Sequence, residues 1–67
     1  MVTDLDIYRS ANELIEQYGN AADIEAAMRA DELMEAGDME GEAVWLRIMK
    51  AIEVLLSEER PEDAEVH

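Results

Sequence analysis

Side-chain nucleophiles and their bases are the first chemistry to look for, and this chain lacks most of them. Its 67 residues contain no cysteine and a single histidine, His67. Outside the tyrosines, the hydroxyl groups belong to Thr3, Ser10 and Ser57. No Ser–His–Asp or Cys–His arrangement can be assembled from this set, because a terminal histidine is not oriented by a packed site. We therefore expect no enzymatic activity.

Carboxylates are abundant in the middle of the chain, which raises metal binding as the next chemistry. A calcium-binding EF-hand loop needs oxygen ligands at positions one, three and five and glycine at position six. Counting from Asp31 places Leu33 at position three and Ala36 at position six, and counting from Asp38 places Ala43 at position six. Both registers fail. We expect no dedicated metal site, and no phosphate-binding or cofactor motif is present.

Glycines and capping residues divide the chain into three predicted helices. Thr3 is a suitable N-cap for the first helix, and Gly19 is placed to end it in a left-handed conformation. Asn20 and Asp38 are the next candidate N-caps, and Gly37 ends the helix between them. The predicted helices span about residues 4–18, 21–36 and 39–57. We expect an all-α fold, a three-helix bundle formed by residues 1–57.

Residues 58–67 differ in composition from the rest of the chain. They carry five carboxylates against one arginine, and Pro61 disfavours continuation of the third helix. This composition predicts a disordered acidic C-terminal tail. A solubilising end and an interaction tail both remain open for it.

Apolar residues at helical spacing predict the core of the bundle. The stripe of the first helix comprises Ile7, Tyr8, Ala11, Leu14, Ile15 and Tyr18. Trp45 aligns with Ile48 and Ile52 on the third helix, and we expect its ring to be buried against the first helix. An anchor for a protein interface is the alternative role for Trp45.

Two residues on the predicted inner faces need a special explanation. On a helical wheel Asp31 falls among Ile24, Ala27 and Met34, so we expect it to be buried and held by a hydrogen bond or an ion pair. Gly41 lies inside the third helix, where glycine costs about 1 kcal/mol relative to alanine. The spacing predicts close approach of another helix backbone at Gly41, or else a poorly formed first turn.

The net charge of −13 limits the classes of partner. So negative a surface repels nucleic-acid phosphates, and the third helix carries only Arg47 and Lys50 as cations, so we expect no direct nucleic-acid binding. The sequence contains neither a signal-peptide pattern nor an apolar run of membrane-spanning length. We expect a soluble, cytoplasmic protein that does not enter membranes.

Several short runs of residues form a distinctive pattern over about residues 6–55. They are Tyr8-Arg9-Ser10-Ala11-Asn12, Leu14-Ile15, Tyr18-Gly19, Ala26-Ala27-Met28-Arg29-Ala30-Asp31, Gly37-Asp38, Gly41, Trp45-Leu46-Arg47-Ile48 and Ala51-Ile52. With these runs the chain resembles a family of short, uncharacterised bacterial proteins. The resemblance implies a compact helical domain in a bacterial cytoplasm and implies no activity.

Two functions from different classes remain. The first is a small acidic protein-interaction module or regulatory accessory protein, and the alternative is a nucleic-acid-mimicking inhibitor that places its carboxylates in the basic groove of a nuclease or defence protein. The candidate partner surface comprises Asp23, Glu25, Asp31, Glu32, Glu35, Asp38, Glu40, Glu42, Leu46 and Met49. Leu46 and Met49, with Leu33 and Val54, also suggest self-association, which leaves a homodimer open.

Overall fold

The computed structural model describes residues 3–58, and these residues form helices and short turns with no strand. Helix α1 spans Asp4–Tyr18, a single 3₁₀ turn spans Gly19–Ala21, α2 spans Ala22–Glu35 and α3 spans Met39–Glu58. The predicted all-α fold is confirmed. The 3₁₀ turn joins α1 to α2 without a non-helical residue, so the described chain consists of two helical runs, residues 4–35 and 39–58. From residue 59 onward, the predicted acidic tail lies outside the described residues.

Helix α1 begins and ends where the sequence predicts. The Thr3 hydroxyl accepts a hydrogen bond from the Asp6 amide at 3.2 Å, and the Asp6 carboxylate accepts one from the Thr3 amide at 3.3 Å. This reciprocal pair is a capping box. Gly19 follows the last turn with φ +60° and donates its N–H to the carbonyl of Ile15. A positive φ is readily available to glycine, which explains why α1 ends there.

The predicted N-cap of α2 is wrong. Ala21, not Asn20, precedes the helix, and no side chain caps it. A cap is not required because the 3₁₀ turn already satisfies the first amides: the N–H of Ala22 donates to the carbonyl of Gly19.

In the connection between α2 and α3, Asp38 helps both to end α2 and to cap α3. The N–H of Gly37, at φ +83°, donates to Met34, and the N–H of Asp38 donates to Leu33 at 2.9 Å. These two bonds form a Schellman motif that ends α2. The Asp38 carboxylate accepts a hydrogen bond from the Gly41 amide at 2.9 Å and so caps α3, as predicted.

The core lies where α1 and α2 pack against α3. Helix α2 makes its widest contact with α3. The buried residues are Ile7, Ala11, Leu14, Ala22, Ala26, Ala30, Ile48, Ala51 and Ile52. Five of these nine are alanines, so the helices approach closely and the core contains few large side chains.

Three predicted core positions are more exposed than expected. Tyr8 and Tyr18 are both exposed, at opposite ends of the α1 stripe. Trp45 packs against the core but is only half-buried, and one face of its ring is covered by Arg29 of α2, whose guanidinium carbon lies 5.3 Å from the ring centroid. The prediction that Trp45 is buried against α1 therefore needs correction. Part of its cover is a cation–π contact from α2.

The tightest contact at Gly41 is with its own helix cap. A Cβ atom at this position would lie 2.6 Å from Oδ2 of Asp38, the residue that caps the same helix. The nearest crowding is therefore local, and the predicted close approach of another backbone stays a prediction. Glycine leaves room for the capping carboxylate.

Candidate functional site

The predicted partner surface is distributed over two helices and the turn that joins them. Its carboxylates lie on α2 and in the first turn of α3, and its two apolar members lie further along α3. The residues on α2 are Asp23, Glu25, Asp31, Glu32 and Glu35; Asp38 caps α3, and Glu40, Glu42, Leu46 and Met49 lie within it. Most of the carboxylates are exposed, while Asp23, Glu25 and Glu42 are half-buried.

Asp31 is exposed, and the prediction that it is buried in the bundle is wrong. Within residues 3–58 its carboxylate makes no side-chain hydrogen bond or ion pair. The face that α2 buries is instead the alanine face, formed by Ala22, Ala26 and Ala30. Small side chains allow α2 to approach α3 closely, which turns the larger apolar residues of α2 outward.

The outward face of α2 therefore combines apolar and acidic side chains. Ile24, Met28, Asp31 and Glu35 follow one another at spacings of four, three and four residues, which places them on one side of a helix. All four are exposed, and Ile24 leaves 61% of its surface accessible. We call these four residues the α2 ridge. Its first half is apolar and its second half is acidic.

Arg29, the only cation on α2, does not offset the charge of the ridge. Its Nε lies 3.1 Å from Glu25 Oε2, and its guanidinium covers Trp45. The hydrogen bond and charge of Glu25 raise the pKa of Arg29 above its ordinary value, so it remains cationic. The ion pair of Arg29 is with Glu25, and neither Asp31 nor Glu35 forms an ion pair within the described residues.

A second surface, an apolar groove, lies between α1 and α3. The groove is open to solvent and has a volume of about 470 Å³. It is lined by Asp4, Ile7, Tyr8, Leu46, Arg47, Lys50, Ala51 and Val54. Three of these, Tyr8, Leu46 and Val54, are large apolar residues that remain exposed, Leu46 at 41%. We call these eight residues the groove face.

The charges of the groove face differ from those of the rest of the chain. Asp4 is its only carboxylate, and its Oδ1 lies 3.1 Å from a terminal nitrogen of Arg47. Lys50 makes no ion pair with another residue in the described range 3–58. Lys50 is thus a cation of the groove face with no ionic partner in that range, in a chain whose net charge is −13.

The four residues predicted to form one self-association surface are divided by the fold. Leu46 and Val54 line the groove, whereas Met49 is half-buried against the core and Leu33 is half-buried on α2. Tyr8, which the periodicity assigned to the core, joins Leu46 and Val54 instead. The sequence did not indicate that Tyr8 lies in the groove, because tyrosine occurs both in cores and at partly exposed surfaces.

Within residues 3–58 no three histidine or acidic side chains converge in a way that could hold a metal ion. None of the helices in this range is both long enough and apolar enough to cross a membrane.

Comparisons of the chain with protein-family models, with curated proteins and with solved structures found no match. The resemblance to a bacterial family of small acidic proteins stays a prediction.

Proposed function

We propose that this protein is a small, non-catalytic binding domain whose α2 ridge docks into a basic groove of another protein. The observation that carries this proposal is the pairing of exposed Ile24 and Met28 with exposed Asp31 and Glu35 on one helix face. Apolar anchors at helical spacing are how a helix binds in a partner's groove. Methionine suits such a contact, because its flexible side chain adapts to the shape it meets.

The charge of the ridge favours a basic partner. The Asp31 and Glu35 carboxylates form no ion pair within the described residues, and the nearby Arg29 is engaged by Glu25. Lysine or arginine at the rim of the partner's groove would pair with the two carboxylates. The net charge of −13 would also accelerate encounter with a positively charged surface at low salt.

Mimicry of nucleic acid is the alternative, and it assigns a different role to the same helix. In that mechanism the carboxylates replace phosphates, so Ile24 and Met28 contribute little to affinity. The exposure of both apolar side chains favours docking over mimicry. A partner held through apolar anchors would also resist moderate salt, which releases a purely ionic complex.

The proposal includes the finer architecture expected from the sequence, a three-helix bundle. The end of α1 at Gly19, which has a positive φ, and the packing of both α1 and α2 on α3 support this arrangement. In it, α3 is the central support and α2 presents its outer face to the partner. The cytoplasm is the proposed compartment, since a chain without cysteine gains nothing from an oxidising one.

Site-specific photo-crosslinking in living cells tests the proposal. In one variant of the full chain a photoreactive amino acid replaces Met28. In a second variant of the same chain it replaces Gln17, an exposed position on α1. We expect one basic protein to be captured from position 28 and not from position 17. Capture of the same proteins from both positions would contradict a specific ridge.

Two matched pairs of substitutions then separate docking from mimicry. Asp31→Lys with Glu35→Lys should abolish capture, whereas Glu13→Lys with Glu16→Lys, the same change of charge on exposed positions of α1, should preserve it. Ile24→Ser, added to the variant with the photoreactive residue at position 28, should sharply reduce capture of the partner. If this variant still captures the partner, and duplex DNA prevents the capture, mimicry is favoured.

A further inference from the structure

The groove face carries apolar area that the described residues leave uncovered. Leu46, Lys50 and Val54 follow one another at four-residue spacing along α3, and Tyr8 of α1 lines the same groove. Leu46, Val54 and Tyr8 each leave more than 40% of their surface exposed. A concave apolar patch of this kind is typical of a contact surface.

The groove face also differs in charge from the rest of α3 and from α2. Residues 43–52 of α3 contain no carboxylate. The one carboxylate that lines the groove, that of Asp4, already lies 3.1 Å from a terminal nitrogen of Arg47. Lys50 makes no ion pair within residues 3–58. The groove face is therefore complementary to a segment that carries both apolar side chains and carboxylates.

Residues 59–67 have this composition. They contain four carboxylates and one arginine, and Asp63 and Glu65 alternate with Ala64 and Val66. An extended backbone would place the two carboxylates on one side and the two apolar residues on the other, because side chains alternate along it. Such a segment offers apolar area to the groove and negative charge to a lysine at its rim.

The chain leaves α3 at the end of the groove face. Helix α3 ends at Glu58, one turn beyond Val54, and Lys50 lies about 12 Å before that end at 1.5 Å per residue. If four of residues 59–67 reverse the direction of the chain, the other five still span about 17 Å when extended. These residues can therefore reach both Val54 and Lys50 with the described helices unchanged.

The covalent link favours this segment over a separate molecule. A separate acidic protein is repelled by the net charge of −13, whereas residues 59–67 stay beside the groove at a high effective concentration. The carboxylates of α2 repel an acidic segment from the opposite side of α3. The groove face, with Lys50, is the complementary surface next to the end of α3.

We propose that residues 59–67 fold back along α3 and cover the groove face of the same chain. Ala64 and Val66 enter the groove beside Leu46 and Val54, and the carboxylates between them pair with the Lys50 ammonium at the rim. This internal contact excludes other proteins from the groove. It leaves the α2 ridge accessible, so it does not depend on the function proposed for that ridge.

Paramagnetic relaxation, measured by NMR on the full chain, tests the proposal. The chain has no cysteine, so His67→Cys places a nitroxide spin label at one position, outside the proposed contacts. We expect the oxidised label to weaken the amide signals of residues 46–50 and Tyr8 at least about twofold relative to the reduced label, and to spare the α2 ridge. In a mixture of labelled chain and isotope-enriched unlabelled chain, the same signals should be unaffected, because the contact forms within one chain.

Two matched pairs of substitutions in the labelled chain test the two parts of the contact. Lys50→Glu should lower the ratio of docked to undocked segment about five- to tenfold, because it turns an attraction into a repulsion. Arg9→Glu makes the same change of charge at an exposed position of α1 outside the groove face, and should alter the ratio less than about twofold. Leu46→Ser should lower the ratio several-fold, whereas Ile24→Ser, at a more exposed apolar residue on α2, should not.

Three results would overturn the proposal. Signals of the groove face weakened no more than those of the α2 ridge would show that residues 59–67 do not prefer the groove, which then stays open to another protein. Equal effects of Lys50→Glu and Arg9→Glu would show that overall charge, not the groove face, holds the segment. Weakened signals in the mixed sample would place the contact between two chains.

Discussion

Replacing Gly41 with alanine tests whether the glycine exists to accommodate the helix cap. Alanine in a helix is worth up to about 1 kcal/mol relative to glycine. The new Cβ would lie 2.6 Å from Oδ2 and 3.0 Å from Cγ of Asp38, too close for the carboxylate to stay in place. Moving that carboxylate weakens its bond to the Gly41 amide, and a lost cap costs about 1 kcal/mol. The two effects nearly cancel, so Gly41→Ala alone should change the free energy of unfolding by less than about 0.5 kcal/mol.

The opposing effects separate in a double-mutant cycle. Asp38→Ala removes the cap and should cost about 1 kcal/mol. In that background the carboxylate that lies nearest to a Cβ at position 41 is gone, so Gly41→Ala should stabilise by about 1 kcal/mol, a rise of about 4 to 8 °C in the melting temperature of a domain this small. The coupling energy between the two sites is therefore about 1 kcal/mol.

Thermal unfolding followed by circular dichroism measures all four proteins of this cycle. Equal destabilisation by Gly41→Ala in both backgrounds would refute the reasoning, because it would mean that another helix approaches position 41. Equal stabilisation in both backgrounds would refute it too, because the carboxylate would then move aside at no cost.

Three further substitutions have outcomes that follow from burial. Asp31→Ala should change the free energy of unfolding by no more than about 0.5 kcal/mol in urea denaturation, because the carboxylate is exposed, and a loss above about 1 kcal/mol would contradict its outward position. Ala26→Leu should destabilise by about 1 to 3 kcal/mol in the same assay, since Ala26 is completely buried, and wild-type stability would show that the α2–α3 contact is loose. Trp45→Ala should cost about 2 to 3 kcal/mol, less than a fully buried tryptophan, and native emission at the solvated wavelength would contradict its packing.

The ends of the helices were largely predictable from the sequence because their signals are local. Thr3 and Asp6 form their capping box within four residues, and Asp38 caps α3 through the amide three positions ahead. Such contacts depend on the chain nearby and not on the tertiary structure. Asn20 failed as a predicted cap because the 3₁₀ turn at Gly19 supplies the same hydrogen bonds from the backbone.

The orientation of α2 was not predictable in the same way. Periodicity weights large apolar residues, and it selected the side that contains Ile24 and Met34. The opposite side, with Ala22 and Ala26, became the buried one because α3 supplies the large side chains and alanine supplies the space. Which of two plausible faces is buried depends on the neighbour, and a single helix does not contain that information.

The groove face was only partly accessible to sequence reasoning for a related reason. Leu46 and Val54 stood out because they lie off the main stripe of α3. Their proximity to Tyr8 and Asp4 depends on how α1 packs against α3. The residues that meet there are far apart in the chain: Arg47 and Asp4, for example, are separated by 43 positions. No periodicity within one helix reports such a contact.

The exposure of Ile24 and Met28 is a feature that the fold itself does not require. Helix α2 is held by its alanine face, so polar residues at both positions would preserve the packing and remove apolar area from water contact. Carboxylates surround the two side chains and oppose nonspecific association between copies of so acidic a chain. The surrounding carboxylates would therefore repel another copy of the chain and attract a basic groove. A surface that binds one class of partner and repels another is selective.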